Sequence, residues 1–143
     1  MDSYAAHFCE VAIDEFTGET RVRRFVSVFN CGRIGNPKLA RSQFVGAIVM
    51  GLGMALMEQN HLDLRTGMWI NQDLAEYHVP TAADIENIEV AWLNKPDAEA
   101  NPLGVRGVGE IGIVGATAAI GNAVFNATGK RIRALPITPD KLL

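Results

Sequence analysis

Glycine placement constrains this chain more than any other feature. Outside the turns, nearly all of its 14 glycines fall in two stretches, 46–53 and 104–129. In the first, Phe44, Ile48, Leu52, Ala55 and Leu56 recur at helical spacing, which predicts a helix over residues 38–59. Gly46, Gly51 and Gly53 interrupt it, and each costs a helix about 1 kcal/mol against alanine. Their presence points to close approach by another backbone or by a ligand. The second stretch predicts a helix of small residues over 111–128, closed by Gly129.

Ahead of these helices the period changes from helical to alternating. Residues 5–14 read as a strand with His7, Cys9, Val11 and Ile13 on one face and Ala6, Phe8 and Ala12 on the other. Both faces are largely apolar, as in a strand covered on both sides. Turn residues at 14–19 lead into a return strand over 20–30, a hairpin in which opposite positions sum to about 34. Cys9 then faces residue 25, too far from Cys31 for a disulfide. Two reduced thiols suit the cytoplasm, with the periplasm as the alternative. Residues 32–37 are a loop, where Asn36-Pro37 stops any earlier element. A turn at 63–67 lets 68–70 pair with 59–64, and 85–93 alternates as a strand with Ile88, Val90 and Trp92 on one face. Strands and helices do not alternate as in a doubly wound sheet. The expected fold class is therefore α+β, two layers, with a mixed or antiparallel sheet packed by Gly/Ala-rich helices.

At 143 residues, with 48% hydrophobic and 20% charged side chains, the chain supports one domain over 1–143 and excludes a disordered polymer. A net charge of −3 and a pI near 5.6 argue against a nucleic-acid or anionic-membrane surface. The uncharged run 43–57 holds 15 residues. That is short of the ~18 to 20 of a spanning helix, so no membrane span is expected.

His7, His61 and His78 are widely separated and no Cys-x-x-Cys occurs, so no protein-ligated metal is expected. No Gly-x-Ser-x-Gly elbow is present either. The conspicuous segment is Gly104-Val105-Arg106-Gly107-Val108-Gly109-Glu110-Ile111-Gly112. Residues 107–112 satisfy G-x-G-x-x-G, the dinucleotide fingerprint, but in the wrong setting. The prolines Pro96 and Pro102 separate the segment from the preceding strand, and no strand with an acidic residue follows the helix. What remains is a glycine loop delivering one carboxylate, Glu110, to a helix start. Glu110 could simply favour the helix dipole, a matter of a few tenths to about 1 kcal/mol. That role alone does not call for Gly107 and Gly109 beside it. Glycines there let a backbone approach an anion or cofactor, and a carboxylate in a dry pocket is suited to general-base work.

Several ordered motifs carry a wider resemblance. They are Ala6-His7-Phe8-Cys9-Glu10-Val11, Cys31-Gly32-Arg33-Ile34-Gly35-Asn36-Pro37, Gln43-Phe44-Val45-Gly46 with Gly51-Leu52-Gly53-Met54-Ala55-Leu56, Tyr77-His78-Val79-Pro80 and Asn101-Pro102-Leu103-Gly104. Gly107-Val108-Gly109-Glu110 and Arg133-Ala134-Leu135-Pro136-Ile137-Thr138-Pro139-Asp140-Lys141 complete the set. Together they resemble the C-terminal segment of the molybdenum-cofactor-binding subunit of the xanthine dehydrogenase and aldehyde oxidase family, over nearly the whole chain. The resemblance implies oxidative hydroxylation of an aldehyde or N-heterocycle, with water as oxygen source and electrons passing to molybdenum and then to iron–sulfur clusters. It implies that Glu110 is the base that deprotonates the attacking hydroxyl and that Gln43 hydrogen-bonds the pterin. It also implies that Gly107, Val108 and Gly109 bring main chain against the cofactor. The cofactor would be molybdopterin, in its plain or cytosine dinucleotide form, with iron–sulfur clusters and FAD on partner subunits or domains. The family subunit is much longer, so the chain alone is expected to bind no cofactor, to be inactive and to self-associate. A non-catalytic cofactor-binding or scaffold module is the alternative.

Overall fold

The structure, a computed structural model, describes residues 2–143. Strands β1 (Tyr4–Ile13) and β2 (Thr20–Asn30) form the hairpin, followed by helix α1 (Pro37–Leu56). A two-stranded arm, β3 (Leu62–Asp63) and β4 (Met68–Trp69), precedes β5 (Ile88–Trp92). The chain ends in α2 (Ile111–Val114), α3 (Ala116–Thr128) and a 3-10 turn at Pro139–Lys141. The main sheet has the order β1-β2-β5, with β1 antiparallel and β5 parallel to β2. It is therefore mixed, and the helices form the second layer.

Cys9 pairs with Phe25, as the position sum requires, until a bulge between Glu10 and Val11 shifts the rest of the hairpin by one residue. Asp14 closes the turn by accepting the Phe16 and Thr17 amides at 2.9 and 2.8 Å. One expectation fails on β1. Its Tyr4, Ala6 and Phe8 side is exposed, with Phe8 63% accessible, because the helices cover only the opposite face.

α1 begins one residue earlier than the periodicity indicated. Asn36 Oδ1 accepts the Leu39 amide at 3.1 Å and Pro37 occupies the first turn, so the Asn-Pro pair starts this helix as well as ending the loop. The expected helix over 111–128 is broken at Gly115 into α2 and α3. It ends as expected at Gly129, in the left-handed region at φ 73°.

The core lies between sheet and helices. Val22 and Phe25 of β2 meet Ile48, Leu52 and Ala55 of α1 and Ile120 and Val124 of α3. A second cluster joins Phe29, Cys31, Ala40 and Phe44, in which the Phe29 and Phe44 rings stack at 3.9 Å. By length and hydropathy alone, α1 and the segment Ile111–Thr128 would each pass for a membrane span, so the 15-residue argument from 43–57 understated the apolar runs. α1 instead buries Phe44, Ile48 and Leu52 in the core, and the second segment is two helices.

Candidate functional site

The site is built where the loop 101–110 runs past the end of β2 into α2. Asn101 shapes the loop. Its Oδ1 accepts the Leu103 and Val105 amides at 3.1 and 3.3 Å, and its Nδ2 donates to the Val105 carbonyl at 2.7 Å. Gly104 follows at φ 68°, and its carbonyl accepts the Arg33 amide at 2.7 Å. A Cβ on Gly32 would lie 2.4 Å from that same oxygen. The Gly-Arg loop and the Gly104 turn therefore interlock backbone to backbone, which only glycine at 32 permits.

Arg106 pins the loop from beneath. Its guanidinium donates to the Asp2 carbonyl at 2.5 Å and to Asn30 Oδ1 at 2.5 Å, and it faces Asp97 at 3.7 Å. The side chain is only 9% exposed, so the pairing is shielded from water. The Arg106 amide adds a bond to the Cys31 carbonyl at 3.0 Å. One residue on, Ser3 Oγ donates to the Gly107 carbonyl at 2.8 Å.

Beyond this anchor the chain alternates. Val108 packs against the cluster of Phe29 and Phe44, while Gly107 and Gly109 are exposed. A Cβ built on either glycine meets nothing within 4 Å. Glu110 occupies the N-cap position of α2 yet makes no capping bond, and its side chain is exposed. No capping hydrogen bond therefore accounts for this carboxylate.

α2 is seated on α1 through small residues. A Cβ on Gly112 would fall 2.7 Å from Ala47 Cβ, and one on Gly51 would fall 2.5 Å from Ala116 Cβ. Thr117 Oγ1 seals the crossing by donating to the Gly51 carbonyl at 3.1 Å. This contact brings Gln43, one helical turn before Ala47, to the same end of the helix pair as Glu110. Gln43 and Gly46 are exposed, and Gly46 likewise faces open space. Of the three glycines in α1, Gly51 is explained by α3, and Gly53 by Glu58 and Pro80. Gly46 alone of the three has no neighbour among the described residues to explain it.

His7 supports this region from β1. Its Nδ1 lies 2.7 Å from Ser27 Oγ, and Ser27 is fully buried. Burial lowers the imidazole from its usual proton affinity, partly opposed by a hydrogen bond to the Ile111 backbone. Burial also pushes the Cys9 thiol up to about 12, with Glu10 adding to it, and raises that of Cys31. Both cysteines are free. Among the described residues, no group of three His, Cys, Asp or Glu side chains converges as a metal site. A cavity of about 390 Å³ lined in part by Val22, Leu56 and Ile137 opens at the hairpin end, with no wall from 104–115.

The structure thus places Gly107, Val108, Gly109 and Glu110 on the loop that leads into α2, with Val108 turned to the core and the others exposed, and Gln43 exposed on α1, which α2 crosses. Of the residues that support this region, Ser3, Ser27, Asn30 and Asp97 went unnoticed in the sequence, and His7 and Arg106 were named there without this role. Isolated polar residues within strands and loops carry no periodic or spacing signal that would single them out.

Comparison with known proteins bears on this region. Residues 2–86 match the family of the molybdopterin cofactor-binding domain. The aldehyde oxidoreductase molybdenum-binding subunit PaoC of Escherichia coli is 52% identical over 143 residues, all of this chain and 20% of that protein. A xanthine dehydrogenase molybdenum-binding subunit of Escherichia coli is 34% identical over 142 residues, covering 98% of this chain and 18% of that protein. Among solved structures, the aldehyde oxidoreductase of Desulfovibrio desulfuricans superposes with a TM-score of 0.88 at 32% identity, over 99% of this chain and 15% of that one. The chain thus spans about one-fifth of the length of the relatives it matches. With the family match covering more than half of its residues, the chain belongs to the molybdopterin cofactor-binding domain family.

Proposed function

We propose that this chain forms the C-terminal part of the molybdenum-binding subunit of an oxidoreductase that hydroxylates an aldehyde or an N-heterocycle, with Glu110 as general base. The observation that carries the proposal is the state of Glu110. It stands at a helix start without a capping hydrogen bond, just after Gly107 and Gly109, whose faces are open. The likeness to aldehyde oxidoreductases favours the aldehyde class.

The residues of this region suit a bulky, oxygen-rich cofactor. Gly46, Gly107 and Gly109 leave room for main chain to approach it, and Gln43 offers an amide donor and acceptor. When bound, a molybdenum cofactor supplies the two-electron acceptor and the oxygen-transfer chemistry of the hydroxylation. Gln43 would hold the pterin by its side-chain amide, while the main chain of Val108 and Gly109 fits against it. Glu110 would take the proton from the attacking hydroxyl onto its carboxylate, leaving that oxygen free to attack the substrate carbon. Val108 and Ile111, anchored in the Phe29 and Phe44 cluster, keep this loop from swinging away.

The remaining walls of such a site belong to the rest of the subunit, with iron–sulfur clusters and FAD on partners to carry electrons onward. A cytosine dinucleotide form of the cofactor is included in the proposal. The two free thiols fit work in the cytoplasm. The chain by itself would neither retain the cofactor nor turn over substrate.

The test is Glu110→Gln in the intact subunit assembled with its partners. Turnover with an aldehyde and an artificial acceptor should fall by about 10²- to 10⁴-fold, the contribution of a positioned general base. Molybdenum content should be unchanged. Retained turnover at equal molybdenum content would refute the assignment.

A further inference from the structure

Two of the four residues before Glu110 carry no side chain to restrain them. Gly107 and Gly109 are exposed, and the space a side chain would take on either is open. α2 has only four residues, and so short a helix cannot set its own orientation. The course of the chain into α2 is therefore fixed where it is gripped, at Val108 in the aromatic cluster and, before that, at Arg106.

Arg106 is held at two levels. In the main chain its amide donates to the Cys31 carbonyl at 3.0 Å, and the preceding Val105 bridges to Gly32. In the side chain the guanidinium reaches three separate segments. Nη1 donates to the Asp2 carbonyl at 2.5 Å, ahead of β1. Nη2 donates to Asn30 Oδ1 at 2.5 Å and to the Asn30 carbonyl at 3.2 Å, at the end of β2. Nε faces Asp97 Oδ2 at 3.7 Å, and the Tyr4 ring centroid lies 5.8 Å from the guanidinium carbon. Nε is buried and has no hydrogen-bond partner among the described residues, so Asp97 compensates the charge without bonding that nitrogen.

Asp97 is itself fixed. Its amide donates to the Gly104 carbonyl at 3.0 Å, and its Oδ1 accepts the Glu99 and Ala100 amides at 3.2 and 3.3 Å. An apolar side chain would fill the place of Arg106 without the cost of taking a charge out of water. What the arginine adds is direction: a planar fork with donors at fixed angles cannot slide along the chain without losing several acceptors at once. Ser3, next to Asp2, adds a separate hold by donating from Oγ to the Gly107 carbonyl at 2.8 Å.

We propose that Arg106, held by Asn30 and Asp97, is a positioning residue that fixes the course of residues 107–110 and thereby the place of the Glu110 carboxylate, with Ser3 as a second hold on the same loop. The proposal rests on the reading of Glu110 as the base. It assigns Arg106 no contact with substrate or cofactor. Loss of the fork frees a loop whose glycines offer no other restraint, and a base displaced by a fraction of an ångström loses its alignment.

The test uses the intact, cofactor-loaded complex carrying Arg106→Gln, Arg106→Lys or Ser3→Ala, with Glu110→Gln alongside. Hydrogen–deuterium exchange over 107–114, molybdenum content, kcat and KM are read together. Arg106→Gln should speed exchange in that segment and lower kcat by about tenfold to a hundredfold with KM nearly unchanged. Arg106→Lys, which keeps a charge opposite Asp97 and a donor for Asn30, should recover part of both. Should Arg106→Gln fail to load molybdenum, Ser3→Ala decides, with faster exchange over 107–114 and a several-fold fall in kcat expected. Wild-type exchange and kcat in a loaded Arg106→Gln enzyme would overturn the proposal, as would the same result for Ser3→Ala where Arg106→Gln does not load. So would an Arg106→Lys enzyme no better than Arg106→Gln, or a raised KM with kcat kept. If Glu110→Gln keeps its turnover, the base assignment fails and the proposal with it. If Glu110→Gln is inactive and Arg106→Gln behaves as wild type, only the positioning role fails.

Discussion

A glycine in a helix is a cost that its surroundings must explain, and the two kinds of explanation separate cleanly at Gly46 and Gly51. A methyl at Gly51 would meet Ala116 Cβ at 2.5 Å, whereas one at Gly46 meets nothing. In the 143-residue chain, Gly51→Ala should lower stability by about 1 to 3 kcal/mol, the range for overpacking a close contact. Gly46→Ala should raise it by up to about 1 kcal/mol through helix propensity alone. Thermal unfolding of the two variants checks this, and a destabilised Gly46→Ala would show that Gly46 is already used within the chain. The sequence flagged these glycines but could not say which were occupied, because a vacant approach and a filled one cost the helix equally. Glu110 stood out in the sequence because Gly107 and Gly109 precede it, and its exposure at the start of α2 came from the fold. What surrounds a residue is harder to read. The surroundings of His7 were not legible, since a single histidine in an apolar strand face reads as ordinary core, and Ser27 and Gly115 are brought to it only by the fold.

Whole elements were easier to read than their ends. The hairpin register followed from turn residues at 14–19, and only the bulge after Glu10 escaped, since nothing in a run of alternating residues marks an extra one. α1 was evident from its period, and Asn36-Pro37, read as the stop of any earlier element, also begins the helix one residue before the expected start. The break at Gly115 was hidden because Gly-Ala-Thr-Ala continues a helical composition, and the His7 ring that packs against Gly115 lies more than 100 residues away. The exposed face of β1 shows the limit from the other side. Alternation reveals which residues are apolar, but not whether anything lies over them.

Taken as a molecule, the chain has a well-filled core and an unusually apolar exterior. Phe8 on β1, Met50 and Met54 on α1, Val114 on α2, and Leu64, Met68, Trp69 and Ile70 around the β3–β4 arm are all exposed. That surface suits a chain spanning about one-fifth of its relatives, in which much of the exterior would face the rest of a larger subunit. On its own the 143-residue chain should therefore self-associate. Light scattering across a concentration series should show mass rising with concentration, and a constant monomer mass would count against it. The same reasoning accounts for Glu110, Gln43 and the open glycines lying exposed and not in an enclosed pocket.

The central claim is that Gln43, the open glycines and Glu110 meet a molybdenum cofactor. An experimental structure of the intact, cofactor-loaded subunit tests it most directly. The account predicts the Gln43 amide within hydrogen-bonding distance of the pterin, the Val108–Gly109 main chain against the cofactor and the Glu110 carboxylate facing the molybdenum. A cofactor seated elsewhere, with Gln43 and Glu110 turned to solvent or to other protein, would contradict it.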